Sequence, residues 1–194
     1  MHPFEFYLKL GLEHIAVLAG YDHIRFFVAL CAVYRIEQWR KILILVTAFT
    51  IGHSVTLILV SLDIFSIPSK FIKFLIPLTI FLTALHNVIG HDRPEKAIKM
   101  KRNYAMALFF GLIHGMDFSN YFKALIMDPS DIVIPLLGFN VGIELGQLLI
   151  VFFIVGIAFL FLNILRVKHR EWNLFISGAA AGMSFISLLE NNFW

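Results

Sequence analysis

Six stretches of this chain stay predominantly apolar for about 20 residues or more, and that decides most of what it can fold into. They extend from about Gly11 to Tyr34, Ile42 to Leu62, Phe71 to Ile89, Asn103 to Met127, Ile132 to Leu165 and Trp172 to Leu189. A helix of about 20 residues spans about 30 Å, the thickness of a bilayer's hydrocarbon core. The stretches are too long for strands, and none alternates polar with apolar residues as the wall of a β-barrel must. A water-soluble fold fails on composition. With 59% apolar residues and a mean hydropathy of +0.83, 194 residues have too little polar side chain to cover a folded surface.

The expectation is therefore one all-α domain, residues 1–194, forming a polytopic integral membrane helix bundle. It has about six transmembrane helices, or seven if the first is broken around Gly20. The fifth run is longer than a bilayer is thick, so it tilts, extends out of the membrane, or bends at Gly138, Gly142 or Gly146. Cys31 is the one cysteine and lies inside an apolar run, which rules out a disulfide framework. The opening MHPFEFYLKLGLEH lacks the basic start, apolar middle and cleavage site of a signal peptide.

Lysine and arginine are unevenly shared among the connecting segments. Arg35, Arg40 and Lys41 fall in one turn, Arg93, Lys96, Lys99, Lys101 and Arg102 in another, and Arg166, Lys168 and Arg170 in a third. The alternate segments carry only Lys9, Lys70, Lys73 and Lys123. The positive-inside rule then puts the three basic turns in the cytoplasm and both termini outside. The net charge of +3 follows from these turns, and basic residues scattered in short turns do not make a nucleic-acid surface. The lipid bilayer is the expected partner, Trp39, Trp172 and Trp194 suit anchoring at its surfaces, and oligomerisation is not readable.

The informative residues are those that should avoid hydrocarbon. The first span, in GLEHIAVLAGYDHIR, holds His14, Asp22, His23 and Arg25. Thr50, His53 and Ser54 lie in the second, Thr79, Thr83, His86 and Asn87 in the third, and His114 and Asp117 in the fourth. Asn140, Glu144 and Gln147 lie in the fifth. Spacings of three and four put Thr50 with His53, Thr79 with Thr83 and His86, His114 with Asp117, and Asn140 with Glu144 and Gln147 on single helix faces. Ionisable groups inside spans face the protein interior and mark ion or substrate paths. Taken singly, each histidine is read first as a packing residue and each Ser or Thr as bonded to its own helix. Taken together, costly groups on separate helices point to one polar pocket.

Neutral imidazoles with one or two carboxylates are ligands for borderline divalent metals such as Ni, Co, Zn, Cu or Fe. The candidate metal ligands are His14, Asp22, His23, His53, His86, His114, Asp117 and Glu144. Arg25, Thr50, Asn140 and Gln147 are candidates to support them. Asp22 and His23, adjacent in sequence, point about 100° apart on a continuous helix, so they share an ion only if the helix starts or bends there.

GLEHIAVLAGYDHIRFFVAL, TAFTIGHSVTLILV, FFGLIHGMDFS and LLGFNVGIELGQLLIV, in that order, resemble the successive signatures of the HupE/UreJ family. The likeness runs from about Gly11 to Val151, with a looser match in GAAAGMSFISLLE. It implies a permease-like helical protein of the bacterial inner membrane, associated with nickel or cobalt uptake, with His14, Asp22, His23, His53 and His114 as functional residues. Asn140, Glu144 and Gln147 match the motif in the fifth span. The chain departs from the pattern in three ways. Seven residues rather than five separate His14 from Asp22, Lys73 stands where relatives carry glutamate, and His86 and Asp117 are additional.

The leading expectation is nickel or cobalt binding and transport, with Zn, Fe or Cu as alternatives. No nucleotide-binding motif occurs, so energy would come from an ion gradient or a partner. The alternative is an intramembrane metalloenzyme, a hydrolase or oxidase with a one- or two-metal His/carboxylate centre. A metal-storing or purely structural protein is the third reading.

Overall fold

In the computed structural model, residues 2–16, 21–64, 67–90, 100–126 and 132–191 are described, and they form seven α-helices and no strand. These are α1 (Pro3–Ala16), α2 (Tyr21–Cys31), α3 (Trp39–Ser61), α4 (Ser69–Ile89), α5 (Met100–Leu125), α6 (Val133–Phe159) and α7 (His169–Glu190). A short 3₁₀ turn, Ile36–Gln38, precedes α3, and a π-helical turn, Leu160–Ile164, extends α6. The basic residues Arg93, Lys96 and Lys99, with His91, Met127 and Trp194, lie outside the described residues.

Among the described residues, four helical segments are long and apolar enough to cross a membrane: Ile36–Ser61, Ser69–Ile89, Val133–Ile164 and His169–Glu190. Their outward faces carry large apolar side chains, among them Phe152, Phe153 and Phe175. α5 is as long, with 26 residues, but begins with Lys101, Arg102 and Asn103 and carries His114, Asp117 and Lys123.

Of the two expectations for the first apolar stretch, one helix or a helix broken around Gly20, the structure has two helices, α1 and α2. A continuous α-helix would set His14 and His23 about 13 Å apart along its axis. Their rings lie 5.1 Å apart, so α1 and α2 are not one rod. Gly20 lies outside the described residues. Of the alternatives for the fifth run, the structure bears on the bend. Its irregularity is the π-helical turn after Phe159, while Gly138, Gly142 and Gly146 face α1.

Glycine allows two helix pairs to touch backbone to backbone. A Cβ on Gly52 of α3 would overlap the Leu108 carbonyl of α5, and one on Gly111 would overlap the Phe49 carbonyl in return. Gly11 and Gly142 make the same reciprocal approach between α1 and α6. In each pair the contact rows ascend together, so α3 runs parallel to α5 and α1 parallel to α6. Small-residue contacts of this kind replace the hydrophobic driving force that lipid removes. Polar clips add to them: the Thr56 hydroxyl donates to the Leu112 carbonyl at 2.8 Å, and Tyr7 donates to the Leu125 carbonyl at 2.9 Å. Asp63 and Lys123 pair at the ends of α3 and α5.

α4 and α7 form a third pair, joined by amides rather than glycines. Asn87 donates to the carbonyl of Ala29 at 2.7 Å and to Ser177 at 3.3 Å, while Asn173 donates to the Asn87 carbonyl. Asn87 thus ties α2, α4 and α7 together. Phe26, Phe27, Leu45, Phe49, Ile80 and Phe110 fill the space between α2, α3, α4 and α5.

Candidate metal centre

Where α1 ends and α2 begins, their histidines turn toward α3. His14 sits in the last turn of α1 and His23 near the start of α2. On α3, His53 lies one residue past Gly52, whose close contact with α5 fixes its depth. One ligand nitrogen from each of His14, His23 and His53 lies within 4.8 Å of the other two. The ring centroids of His14 and His23 are 5.8 and 6.2 Å from that of His53.

His114 of α5 adjoins this group, its ring 5.2 Å from that of His23. His53 and His114 are 0% exposed, and His23 is 4% exposed. Phenylalanines wall the group. Phe118 lies 4.1 Å from the His14 ring and stacks on Phe139, while Phe26 and Phe49 flank His114. Such a wall offers an imidazole nitrogen no hydrogen-bond partner.

The nitrogens accordingly lack partners. Among the described residues, Nε2 of His14, both nitrogens of His23 and His53, and Nδ1 of His114 are buried without a hydrogen bond. An unsatisfied buried polar group costs about 1–3 kcal/mol, so this arrangement is expensive unless something binds there. Convergent imidazoles suit a borderline divalent ion of the nickel, cobalt or zinc type.

One nitrogen of the group is satisfied, and it fixes a tautomer. The Thr79 hydroxyl lies 2.7 Å from the Ile76 carbonyl oxygen and 3.2 Å from His114 Nε2. A carbonyl only accepts, so the hydroxyl's single hydrogen goes to Ile76 and its lone pair receives the proton on Nε2. His114 then carries its lone pair on Nδ1, the unpartnered nitrogen. An outer hydrogen bond that leaves the other imidazole nitrogen free is the usual support of a metal-binding histidine.

The remaining candidates lie elsewhere. Asp22 is partly buried, 3.5 Å from Arg25, which also donates to Ser187 of α7 at 3.0 Å. Asp117 is exposed one turn beyond His114, within the electrostatic reach of Asp22 and Lys73. His86 contacts Arg102 at 2.9 Å near the opposite end of the bundle. Glu144 accepts a 2.8 Å hydrogen bond from Thr47, Gln147 accepts one from Thr50 at 2.8 Å, and Asn140 accepts one from Ser54 at 2.7 Å. These three bonds form rungs between α3 and α6.

Sequence reasoning missed Thr47 and the polar α7 residues Asn173, Ser177 and Ser184, and it read Thr79 only as bonded to its own helix. Spacing held a signal for α7, because residues 173, 177 and 184 share one face. It held none for the partner of Thr79, which lies on another helix.

A helical membrane protein with a buried histidine cluster is thus the class that fold and site define. The family model described as "HupE / UreJ protein" matches residues 1–190. The chain belongs to the HupE/UreJ family, as its motifs suggested, and this implies a membrane protein related to nickel or cobalt. No curated protein and no solved structure matches it.

Proposed function

We propose that the protein binds a divalent transition-metal ion, nickel or cobalt, within the bacterial inner membrane and passes it across. The observation that carries this reading is the convergence of His14, His23 and His53 within 4.8 Å, with unpartnered nitrogens in an aromatic-walled pocket. His114, held as the Nδ1 donor by Thr79, completes the set of ligands.

The ion's path follows the polar residues. Asp22 and Asp117 lie on the side of the histidines toward the α1 N-terminus and attract cations there. On the other side, Thr83 and Asn87 continue along α4 to a cavity of about 30 Å³ shared with His86 and Asn103. That volume suits a single water, enough to begin rehydrating an ion. The basic turns make this second end the cytoplasmic one, with both termini outside. In this reading α1 and α2 form one broken span and α5 spans as well, giving six crossings. Breaking a span at the ion site frees backbone and side chains for the ion, as in other transporters.

Elemental analysis of detergent-purified protein beside His23→Ala and His114→Ala tests binding. Bound nickel or cobalt in the wild type, lost in both variants, is the expected result; no metal in the wild type overturns the proposal. Uptake of labelled nickel into proteoliposomes tests passage. Tight stoichiometric metal with no uptake moves the assignment to a metalloenzyme.

A further inference from the structure

α2 carries one permanent cation, Arg25, two residues after His23. At about 100° per residue the two side chains leave the helix on nearly opposite faces, so Arg25 stays out of the histidine group. Asp22, three residues before Arg25, shares its face instead. The guanidinium lies 3.5 Å from the Asp22 carboxylate and 5.6 Å from the centre of the Tyr21 ring, and it donates to the Ser187 hydroxyl of α7 at 3.0 Å.

A fixed positive charge beside a cation site works against the cation. Asp22 adjoins His23 in sequence, yet the charge it would offer an incoming ion is already offset by Arg25. Asp117, the other carboxylate at this end of the histidine group, has Lys73 within electrostatic reach. Two carboxylates thus face two side-chain cations, and a divalent ion arriving there must compete with them.

The α7 surface gives a displaced guanidinium somewhere to go. Arginine has five N–H donors, more than these contacts use. Ser184 lies one turn before Ser187 on the same face of α7, fully buried, and its hydroxyl oxygen has no partner. Arg25 can therefore exchange Asp22 for a second serine while it keeps its hold on α7.

We propose that Arg25 is a tethered competitor of the metal ion. It holds Asp22 while the site is empty, yields it when a divalent cation arrives, and takes it back as the ion leaves. The inference rests on the metal-binding reading above and adds that this residue lowers affinity, which speeds release of a transported ion. An arginine that only anchored α2 to α7 would act in the opposite sense, because its loss would loosen His23 and weaken binding.

The test is calorimetric titration of the purified protein in detergent with nickel. Arg25→Gln should bind about three to ten times tighter than wild type, a range between an exposed ion pair and a charged hydrogen bond. Asp22→Asn should bind weaker by a similar factor. The double variant removes both charges and should return to within about threefold of wild type. Arg25→Lys keeps the charge and should stay within the same margin. Ser187→Ala cuts the anchor to α7 but leaves the ion pair, and should not tighten binding. In proteoliposomes Arg25→Gln should reach half-maximal nickel uptake at a lower concentration and with a lower maximal rate. Unchanged or weaker binding by Arg25→Gln overturns the proposal, as does equal tightening by Ser187→Ala. If Arg25→Gln alone does not purify, a double variant that binds no tighter than Asp22→Asn overturns it. A wild type that binds no nickel overturns the metal-binding reading and this inference with it, whereas a wild type that binds nickel beside an Arg25→Gln that fails to tighten overturns this inference alone.

Discussion

The hydroxyl of Thr79 stands between the carbonyl of Ile76, 2.7 Å away, and Nε2 of His114, 3.2 Å away. One hydrogen cannot serve both contacts, and the carbonyl takes it. A residue that touches no ion thereby determines which nitrogen of His114 is available to one.

Thr79→Val should weaken nickel binding about 10- to 100-fold, the usual effect of removing an outer partner of a metal-binding histidine. Thr79→Ser keeps the hydroxyl and should keep most of the affinity. Isothermal titration of both variants with nickel checks this, and equal weakening in the two would show that the methyl group matters rather than the hydrogen bond.

Glu144 matched a family motif, yet its carboxylate accepts from Thr47 on the α3–α6 seam. Glu144→Gln should therefore leave nickel affinity within about threefold of wild type, whereas His23→Ala should lose about 100-fold or more, as a lost ligand does compared with a lost outer partner. Competition against a coloured chelator measures both. A loss in Glu144→Gln as large as that in His23→Ala would put this carboxylate among the ligands.

Acid should release the metal. Coordination needs neutral imidazole, so protons compete with the ion and affinity falls once the pH drops into the range where these buried histidines take up protons. The measurement is the apparent dissociation constant across that range. An affinity flat with pH would argue against imidazole ligands.

The glycines divide into two kinds. Gly52→Leu and Gly142→Leu push side chains into neighbouring backbone and should destabilise by about 1–3 kcal/mol or more. Gly178 of α7 has nothing within 4 Å of the place a Cβ would take, so Gly178→Ala should be neutral or stabilise by up to about 1 kcal/mol through helix propensity. Thermal denaturation in detergent separates the two classes.

Helical stripes were legible before any fold was known, because spacing along one helix determines which residues share a face. His53 and His114 could be read as inward-facing for that reason. What spacing does not contain is the register between helices. Nothing in the sequence told Thr79 to meet His114, or sent Glu144 to Thr47 rather than to the histidines. The first span shows the same limit. His14 and His23 were legible as candidates and Gly20 as a place where the helix could break, but hydrophobicity did not decide between a broken and a continuous helix, and their meeting depends on that choice. In α6 a bend at the glycines was one of three readings, because flexibility is their local property, whereas their use here is close approach to α1.

The reciprocal glycine contacts make α1 with α6 one closely packed piece and α3 with α5 another, and the α3–α6 hydrogen bonds join the two pieces. His14 rides on the first piece, and His53 and His114 ride on the second. On the proposed reading, an ion held by these histidines bridges the two pieces, so any change in their relative position would lengthen several ligand distances at once.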